Sequence, residues 1–225
     1  MFRTKLTRLF QIVLLSGILV SYIEIASAQF TVGGQAQLVE GRAIIVRKGK
    51  EMRIDPYKSD LKDQDLIRTF DKGKVRLTLM GGDMIFLAPK TEIQFEEKLE
   101  TKGLERIRLR TLKLKGRLLA RIQRNTTTPI QIRTPNAIVG VKGTEFVVEF
   151  LSKATNVGTL KGTVNLSSLT TGDSIDLEAG TMSSVSASGE VLPPTEFSGE
   201  LMRDFEFAGE SMSEEDAAGK PIDLD

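Results

Sequence analysis

Short runs of alternating apolar and polar residues, each closed by turn residues, recur along residues 29–192 and constrain the fold more than any other feature. In the clearest run, Val75, Leu77 and Leu79 alternate with polar residues, and a glycine turn follows at residues 81–83. Alternation with a period of two is typical of strands that bury one face. No strong helical pattern interrupts the region, and no exact repeat period is visible. We therefore predict an all-β domain of many short antiparallel strands, a rolled sandwich or an irregular solenoid.

Two stretches of this region are harder to assign. Residues 57–69 are polar with Leu61, Leu66 and Ile67 embedded, so a short helix and an irregular loop with a short strand both fit. Further on, the apolar phase shifts between Leu109 and Leu112. A phase shift inside a strand pattern predicts a bulge or a corner near Thr111.

The segment at residues 134–150, TPNAIVGVKGTEFVVEF, joins two strand-like runs through Gly140 and Gly143. Glycines between β-prone runs indicate a tight corner, a bulge or a close backbone approach. The alternative is a functional interpretation, a GxxG loop that clamps nucleic acid. That clamp requires helices on both sides, and the flanking residues here are β-branched and aromatic. We predict two strands joined by a corner.

Residues 1–28 have the features of a secretory signal peptide. Arg3, Lys5 and Arg8 precede a mostly apolar run, and residues 26–28 form an Ala-Ser-Ala cleavage site. Cleavage there would leave Gln29 as the first residue. An uncleaved membrane anchor is the alternative, although the apolar run is shorter than the roughly 20 residues that a span needs. We predict export through a cleaved signal peptide, to a periplasmic or secreted location.

The C-terminal part divides into a linker with a short amphipathic helix, residues 193–209, and a disordered acidic tail, residues 210–225. Phe197, Leu201 and Phe205 recur every four residues, which is typical of a helix with one apolar stripe. The stripe would dock on the β core of this chain or bind a partner. Residues 196–225 hold ten acidic and two basic residues, whereas residues 29–195 hold 26 basic and 19 acidic ones.

The composition excludes several kinds of chemistry. The chain has no Cys and no His, so it cannot form a disulfide, a Cys nucleophile, a Ser-His-Asp triad or a zinc site of the usual kind. We assign no catalytic, cofactor-binding or metal-binding residues. Four acids in one loop region, Asp60, Asp63, Asp65 and Asp71, suggest calcium ligands, but they lack EF-hand spacing and are more typical of a solvated loop.

Residues 102–124 hold nine basic residues and one acidic residue. Alternation places Arg106, Arg108 and Arg110 on one face of a strand. That face would bind an anionic envelope ligand, or it would pair with the glutamates of the preceding strand, Glu92, Glu96 and Glu97. We favour cross-strand pairing.

The central segment resembles the hallmark of the FecR domain family, a Thr-Pro-x-Ala entry followed by Gly-Thr-x-Phe. The matching residues are Thr134, Pro135, Ala137, Gly143, Thr144 and Phe146. The flanks VRLTLMGGDMIFLAPKTEIQF, LKGTVNLSS and IDLEAGTMSSV are also similar, so the resemblance covers roughly residues 39–191. It implies an all-β periplasmic domain. In the best-known members this domain relays a transporter's signal to a sigma factor.

The chain departs from the plan of those members at both ends. Eight residues precede the apolar segment, and only a helix-sized segment and a tail follow residue 191. We expect a non-enzymatic, exported FecR-like binding or scaffold domain that contacts a protein or an envelope ligand and needs no cofactor. The alternative is a membrane-anchored signalling regulator, and a carboxylate-dependent glycan hydrolase is a remote one. We expect no nucleic-acid partner, membrane contact only if residues 1–28 are retained, and self-association as an open option.

Overall fold

The computed structural model describes residues 32–102, 105–124 and 128–206. The predicted signal peptide and the predicted acidic tail lie outside these residues. The described chain forms seventeen strands and one 3₁₀ helix, Gly199–Met202. The strands are β1 (Val32–Glu40), β2 (Ala43–Arg47), β3 (Lys50–Arg53), β4 (Ser59–Lys62), β5 (Leu66–Thr69), β6 (Lys74–Leu79), β7 (Met84–Leu87), β8 (Glu92–Lys102), β9 (Glu105–Arg121), β10 (Ile130–Arg133), β11 (Ala137–Val141), β12 (Glu145–Leu151), β13 (Ala154–Lys161), β14 (Thr163–Ser168), β15 (Ser174–Glu178), β16 (Thr181–Val185) and β17 (Thr195–Glu196).

The strands form two sheets that share the long strand β9. Sheet I has the order β4-β1-β6-β7-β9-β12-β13-β16-β17. Sheet II has the order β3-β2-β5-β8-β9-β10-β11-β14-β15. Every pairing among the described strands is antiparallel except that of β9 with β10. The all-β prediction is confirmed.

Strand β9 passes from sheet II to sheet I at Gly116. Its pairing with β8 runs up to Lys115, and its pairing with β12 begins at Gly116 itself. Gly116 has φ +110°, and a Cβ on it would lie 2.7 Å from the Cα of Thr91. Only glycine fits this crossing without strain, because a side chain would disfavour the backbone angle and strike the neighbouring backbone.

The corner predicted near Thr111 is therefore wrong. Thr111 pairs with Glu96 inside an unbroken ladder between β8 and β9. The phase shift in the sequence arises because Arg110 shares the buried face with Leu112 and Leu114 and is itself only 4% exposed. A buried arginine breaks the alternation of apolar and polar residues in the sequence, although the strand itself is continuous.

The main core lies between the two sheets. Sheet I contributes Leu77, Leu118, Val148 and Val157, and sheet II contributes Ile45, Ile67, Ile93 and Val139, all in one cluster of buried residues. Burying one such side chain stabilises a fold by about 1.5–3 kcal/mol relative to leaving it exposed. Residues 57–69, for which the sequence left two readings open, form the short strands β4 and β5. Among the described residues, no helix has the length and apolar character needed to cross a membrane.

Candidate functional site

The central segment builds a structural corner. Strands β11 and β12 flank Gly143, which has φ +66°, so the predicted pair of strands with a tight corner is confirmed. At the entry to β11, Asn136 Nδ2 donates to the carbonyl oxygens of Lys153 at 3.1 Å, Val185 at 3.1 Å and Ser186 at 2.9 Å. Asn136 thereby ties β11 to the ends of two other strands. Strands on both sides of Gly143 also remove the basis for a GxxG clamp.

The hydroxyls beside Asn136 complete this corner. Thr134 Oγ1 lies 2.7 Å from Thr155 Oγ1, and the backbone N–H of Ala137 donates to Thr134 Oγ1 at 3.0 Å. Thr155 is fully buried, and Thr134 is nearly so. Because buried hydroxyls need partners, these contacts account for the Thr-Pro-Asn-Ala part of the segment as architecture.

The basic strand pairs with the glutamates of its neighbour. Arg108 Nη1 lies 3.3 Å from Glu97 Oε1, and Lys113 binds Glu96. Arg110 does otherwise, since its Nη1 donates to the carbonyl oxygen of Met80 at 2.6 Å. The pairing of arginines 106, 108 and 110 with these glutamates, the interpretation favoured from the sequence, is confirmed for Arg108 and Glu97. Glu96 pairs with a lysine of the same strand β9, and Glu92 pairs with Arg68 at 2.6 Å. The side chain of Arg106 lies outside the described residues.

Glu96 has a perturbed acidity. Its burial favours the neutral acid and alone would raise the pKa. The hydrogen bond and charge of Lys113, with the nearby Lys98, outweigh that effect and hold the pKa below its ordinary value. A carboxylate with a lowered pKa is a charged partner in an ion pair, whereas a general acid at neutral pH needs a raised pKa.

The outer part of β8 and β9 extends beyond both sheets. Strand β5 pairs with β8 only at residues 92–94, and β10 pairs with β9 only at residues 110–113. Residues 98–102 and 105–109, the β8–β9 ribbon, pair with each other and, among the described strands, with no third one. Leu99 on this ribbon is 67% exposed. As far as the described residues go, both outer edges of the ribbon therefore present backbone hydrogen-bonding groups that no third strand pairs.

The C-terminal segment covers the outer face of sheet I. Strand β17 pairs with β16. Beyond it Leu201 and Phe205 are buried in a second apolar cluster with Phe86, Leu119 and Val147. The docking of the Phe197, Leu201 and Phe205 stripe on the chain's own strands is confirmed. The predicted short amphipathic helix is wrong, because residues 195–196 form strand β17 and only the single 3₁₀ turn Gly199–Met202 follows it. Asp204 fixes the segment's end by a 2.7 Å ion pair with Arg117.

The four acids considered as calcium ligands are held apart. Asp65 is fully buried and accepts hydrogen bonds from Arg47 Nε at 2.8 Å and Nη2 at 2.6 Å. Asp63 accepts from the backbone N–H of Glu97 at 2.8 Å, and Asp71 pairs with Lys90 at 3.1 Å. In the described parts of the chain, no three potential metal-ligating side chains converge.

The carboxylates of the surface clefts are mostly engaged by arginine. Glu92, Glu145 and Glu149 each line a different cleft. They pair respectively with Arg68, Arg121 and Arg117. Glu200 lines the same cleft as Glu149 and lies 3.9 Å from Arg203 on the exposed 3₁₀ turn. The roles of Arg117 and of the exposed Leu99 were not visible in the sequence, because neither lies in a motif.

Comparison with known proteins gives one family match. Residues 65–165 match the family model described as FecR protein. Two crystal structures of candidate anti-sigma factors from Parabacteroides distasonis are similar to this chain, with 20% sequence identity and TM-scores of 0.47 and 0.48. Each alignment covers 58% of this chain and 59% of the other, so the chain spans about three fifths of the length of those proteins. The comparison with curated proteins found no match.

Proposed function

We propose that this chain is a non-catalytic, exported binding module that holds a protein partner at the β8–β9 ribbon. The premise is the match of residues 65–165 to the FecR family model. The observation that carries the proposal is the ribbon itself. It extends past the sheets with unpaired edges and an exposed Leu99. An extended peptide can add to such an edge through main-chain hydrogen bonds, while pockets and charges select its side chains.

The side chains of the ribbon define the chemistry of the partner. Leu99 and Arg108 are directly opposite each other and therefore lie on one face. Leu99 is 67% exposed, and the side chain of Arg108 is 53% exposed. Because Arg108 is already paired with Glu97, a partner segment that places an apolar side chain beside Leu99 would be complementary to that face.

A non-catalytic role is supported by how the acids are used. The buried or half-buried carboxylates Asp65, Glu96 and Glu149 each bind a cationic side chain across strands. Glycoside hydrolysis needs two carboxyl groups that face one substrate, one of them with a raised pKa. The ion-paired glutamates of the described clefts do not favour that chemistry.

Export is the part of the proposal that rests on the sequence of residues 1–28. A basic start, an apolar run and an Ala-Ser-Ala site are the features of a cleaved signal peptide. The alternative function, a membrane-anchored regulator of the FecR type, differs in one respect, because it requires that residues 1–28 be retained as an anchor.

Site-specific photocrosslinking tests the ribbon. A photoreactive amino acid replaces Leu99 in the full chain in its native cells, and Leu151, another exposed leucine at 60%, serves as the matched control site. We expect one discrete protein adduct from position 99 and none from position 151. The substitution Leu99→Asp at the same ribbon should abolish co-purification of the crosslinked protein, whereas Leu151→Asp should preserve it.

Equal adduct patterns from the two positions, or an adduct whose protein still co-purifies with the Leu99→Asp variant, would overturn the assignment of the ribbon. Circular dichroism of both aspartate variants shows whether they keep the β fold. Since both leucines are exposed, neither substitution should alter stability by more than about 0.5 kcal/mol.

A further inference from the structure

A basic cleft of about 390 Å³ lies where the end of β9 meets the Gly143 corner. Its charged lining is Arg121, Arg124, Lys161 and Glu145. Arg121 Nε is paired with Glu145 at 2.7 Å. Among the described residues, Arg124 and Lys161 have no carboxylate partner, and both are exposed at the cleft. The cleft therefore carries two uncompensated positive charges.

The corner glycines shape this cleft. A Cβ on Gly143 would lie 2.3 Å from Cγ of Arg124, so the stem of Arg124 rests directly on the glycine. A Cβ on Gly162 would lie 2.9 Å from Cγ2 of Thr144, so the methyl group of Thr144 lies against that glycine. The backbone N–H of Ile122 donates to the carbonyl oxygen of Thr144 at 2.8 Å and fixes the residue between the two strands.

The hydroxyl of Thr144 lies at the same cleft as these cations and lacks a hydrogen-bond partner among the described residues. Thr144 lines the cleft and is only 2% exposed, yet among the residues that the structure describes its Oγ1 has no hydrogen-bond partner. Leaving a buried hydroxyl unpaired destabilises a protein. Valine has the same shape as threonine without the hydroxyl, so Thr144→Val removes this polar group with little change in side-chain volume.

We propose that this cleft is a binding site for a phosphate group, held by Arg124 and Lys161 and hydrogen-bonded by the Thr144 hydroxyl. Arginine and lysine supply charge and several donors, and a hydroxyl beside them adds a directional one. The bound group satisfies the buried Oγ1 and neutralises the two free cations. The assignment is independent of the β8–β9 ribbon.

The test compares Thr144→Val with Thr159→Val. Thr159 is also fully buried, and its Oγ1 has no partner within the described part of the chain. It lies outside the lining of the cleft, which makes it a matched control. Titration of inorganic phosphate, followed by NMR shifts or calorimetry, should give saturable binding to the wild-type chain. We expect Thr144→Val to weaken that binding about tenfold, the loss of one hydrogen bond to a charged group, while Thr159→Val leaves it unchanged.

Stability provides the second readout. Each valine removes an unpaired buried hydroxyl, so both variants should melt at or above the wild-type temperature without phosphate. At a given phosphate concentration, added phosphate should raise the melting temperatures of the wild type and of Thr159→Val by similar amounts and that of Thr144→Val by less. Arg124→Gln should weaken binding, whereas Lys115→Gln, which removes an exposed cation on sheet II, should not.

Two vesicle compositions distinguish a free phosphate ester from a lipid head group. Sedimentation with phosphatidylglycerol vesicles but not with phosphatidylcholine vesicles, lost in Thr144→Val, would support the site and identify a lipid as the source. Sedimentation that Thr144→Val and Arg124→Gln leave intact, or the absence of saturable phosphate binding, would overturn the proposal.

Discussion

Single side chains join strands of this protein that are distant in sequence, and Asn136 is the clearest case. Its amide reaches three backbone carbonyl groups, at residues 153, 185 and 186. Its Oδ1 also accepts a hydrogen bond from the Thr155 hydroxyl. The residue therefore holds the entry of β11, the turn before β13 and the end of β16 together.

Asn136→Ala should lower the free energy of unfolding by about 2–3 kcal/mol, because it removes the donor to two partly buried carbonyl groups and one of the two partners of the Thr155 hydroxyl. Urea unfolding followed by circular dichroism measures the loss. Asn165→Ala is the control, since Asn165 is exposed and binds only exposed neighbours, and it should cost under about 0.5 kcal/mol. Equal losses in the two variants would show that the corner does not depend on Asn136.

Glu96 should make part of the stability dependent on pH. Its pKa in the folded protein is below the ordinary value of 4.5 because of Lys113 and Lys98, although burial opposes them. Ionised Glu96 therefore stabilises the fold above pH 4.5, and this contribution is lost as the pH falls through the lower, folded-state pKa. We expect Glu96→Gln to be less stable than the wild type at neutral pH and to approach it in acid.

Urea unfolding at a series of pH values between neutral and strongly acidic measures this convergence. Glu51→Gln, on the exposed strand β3, provides the comparison for a surface charge. If the wild type and Glu96→Gln lost stability in parallel as the pH fell, the ion pair with Lys113 would not be a source of the acid sensitivity.

At the scale of elements, β9 determines how the two sheets are joined. It is the strand common to both, and its change of sheet is concentrated at Gly116, where Thr91 Oγ1 also accepts a hydrogen bond from the backbone N–H of Arg117 at 3.0 Å. A change at this one position therefore acts on both sheets.

Gly116→Ala should destabilise the protein by about 3 kcal/mol, since it combines an unfavourable positive φ with a clash against the Thr91 backbone. Gly140→Ala is the matched control in β11, where a Cβ would have no neighbour closer than 3.9 Å. Thermal and urea unfolding of both variants measure the difference. A Gly116→Ala variant as stable as Gly140→Ala would contradict the crossing described for β9.

The elements differ in how well the sequence predicts them. The hairpin of β6 and β7 follows directly from alternation and its glycine turn. The continuity of β9 does not, because the sequence gives no sign that Arg110 is buried against the Met80 carbonyl. In residues 57–69 the alternation of apolar and polar residues extends over too few positions to distinguish strands from a loop. The pairing of β4 with β1 and of β5 with β2 determines that these residues form strands.

The surfaces are harder to predict than the strands. Glu96 and Lys113 are diagonal neighbours in the β8–β9 ladder, and their pair agrees with the rule that such cross-strand neighbours interact. The exposure of Leu99 depends on which neighbouring strands end early. The lack of a hydrogen-bond partner for the Thr144 hydroxyl among the described residues depends on how the strands pack around it. Both properties arise from long-range contacts, so no local sequence pattern predicts them.

At the scale of the whole molecule, the chain combines a core between two sheets with a second apolar cluster that its own C-terminal segment covers. The β8–β9 ribbon extends from this body with open edges. Residues 65–165 match the FecR family model, and the proposed binding role depends on the ribbon. The proposed place of action depends on the fate of residues 1–28.

The intact mass of the native protein, measured in separated envelope fractions, tests that claim most directly. Mass spectrometry is preferable to Edman chemistry because an N-terminal glutamine cyclises readily and blocks sequencing. We expect a soluble envelope protein that begins at Gln29, whether or not this glutamine has cyclised. A membrane-bound protein that retains residues 1–28 would contradict it and favour the anchored regulator.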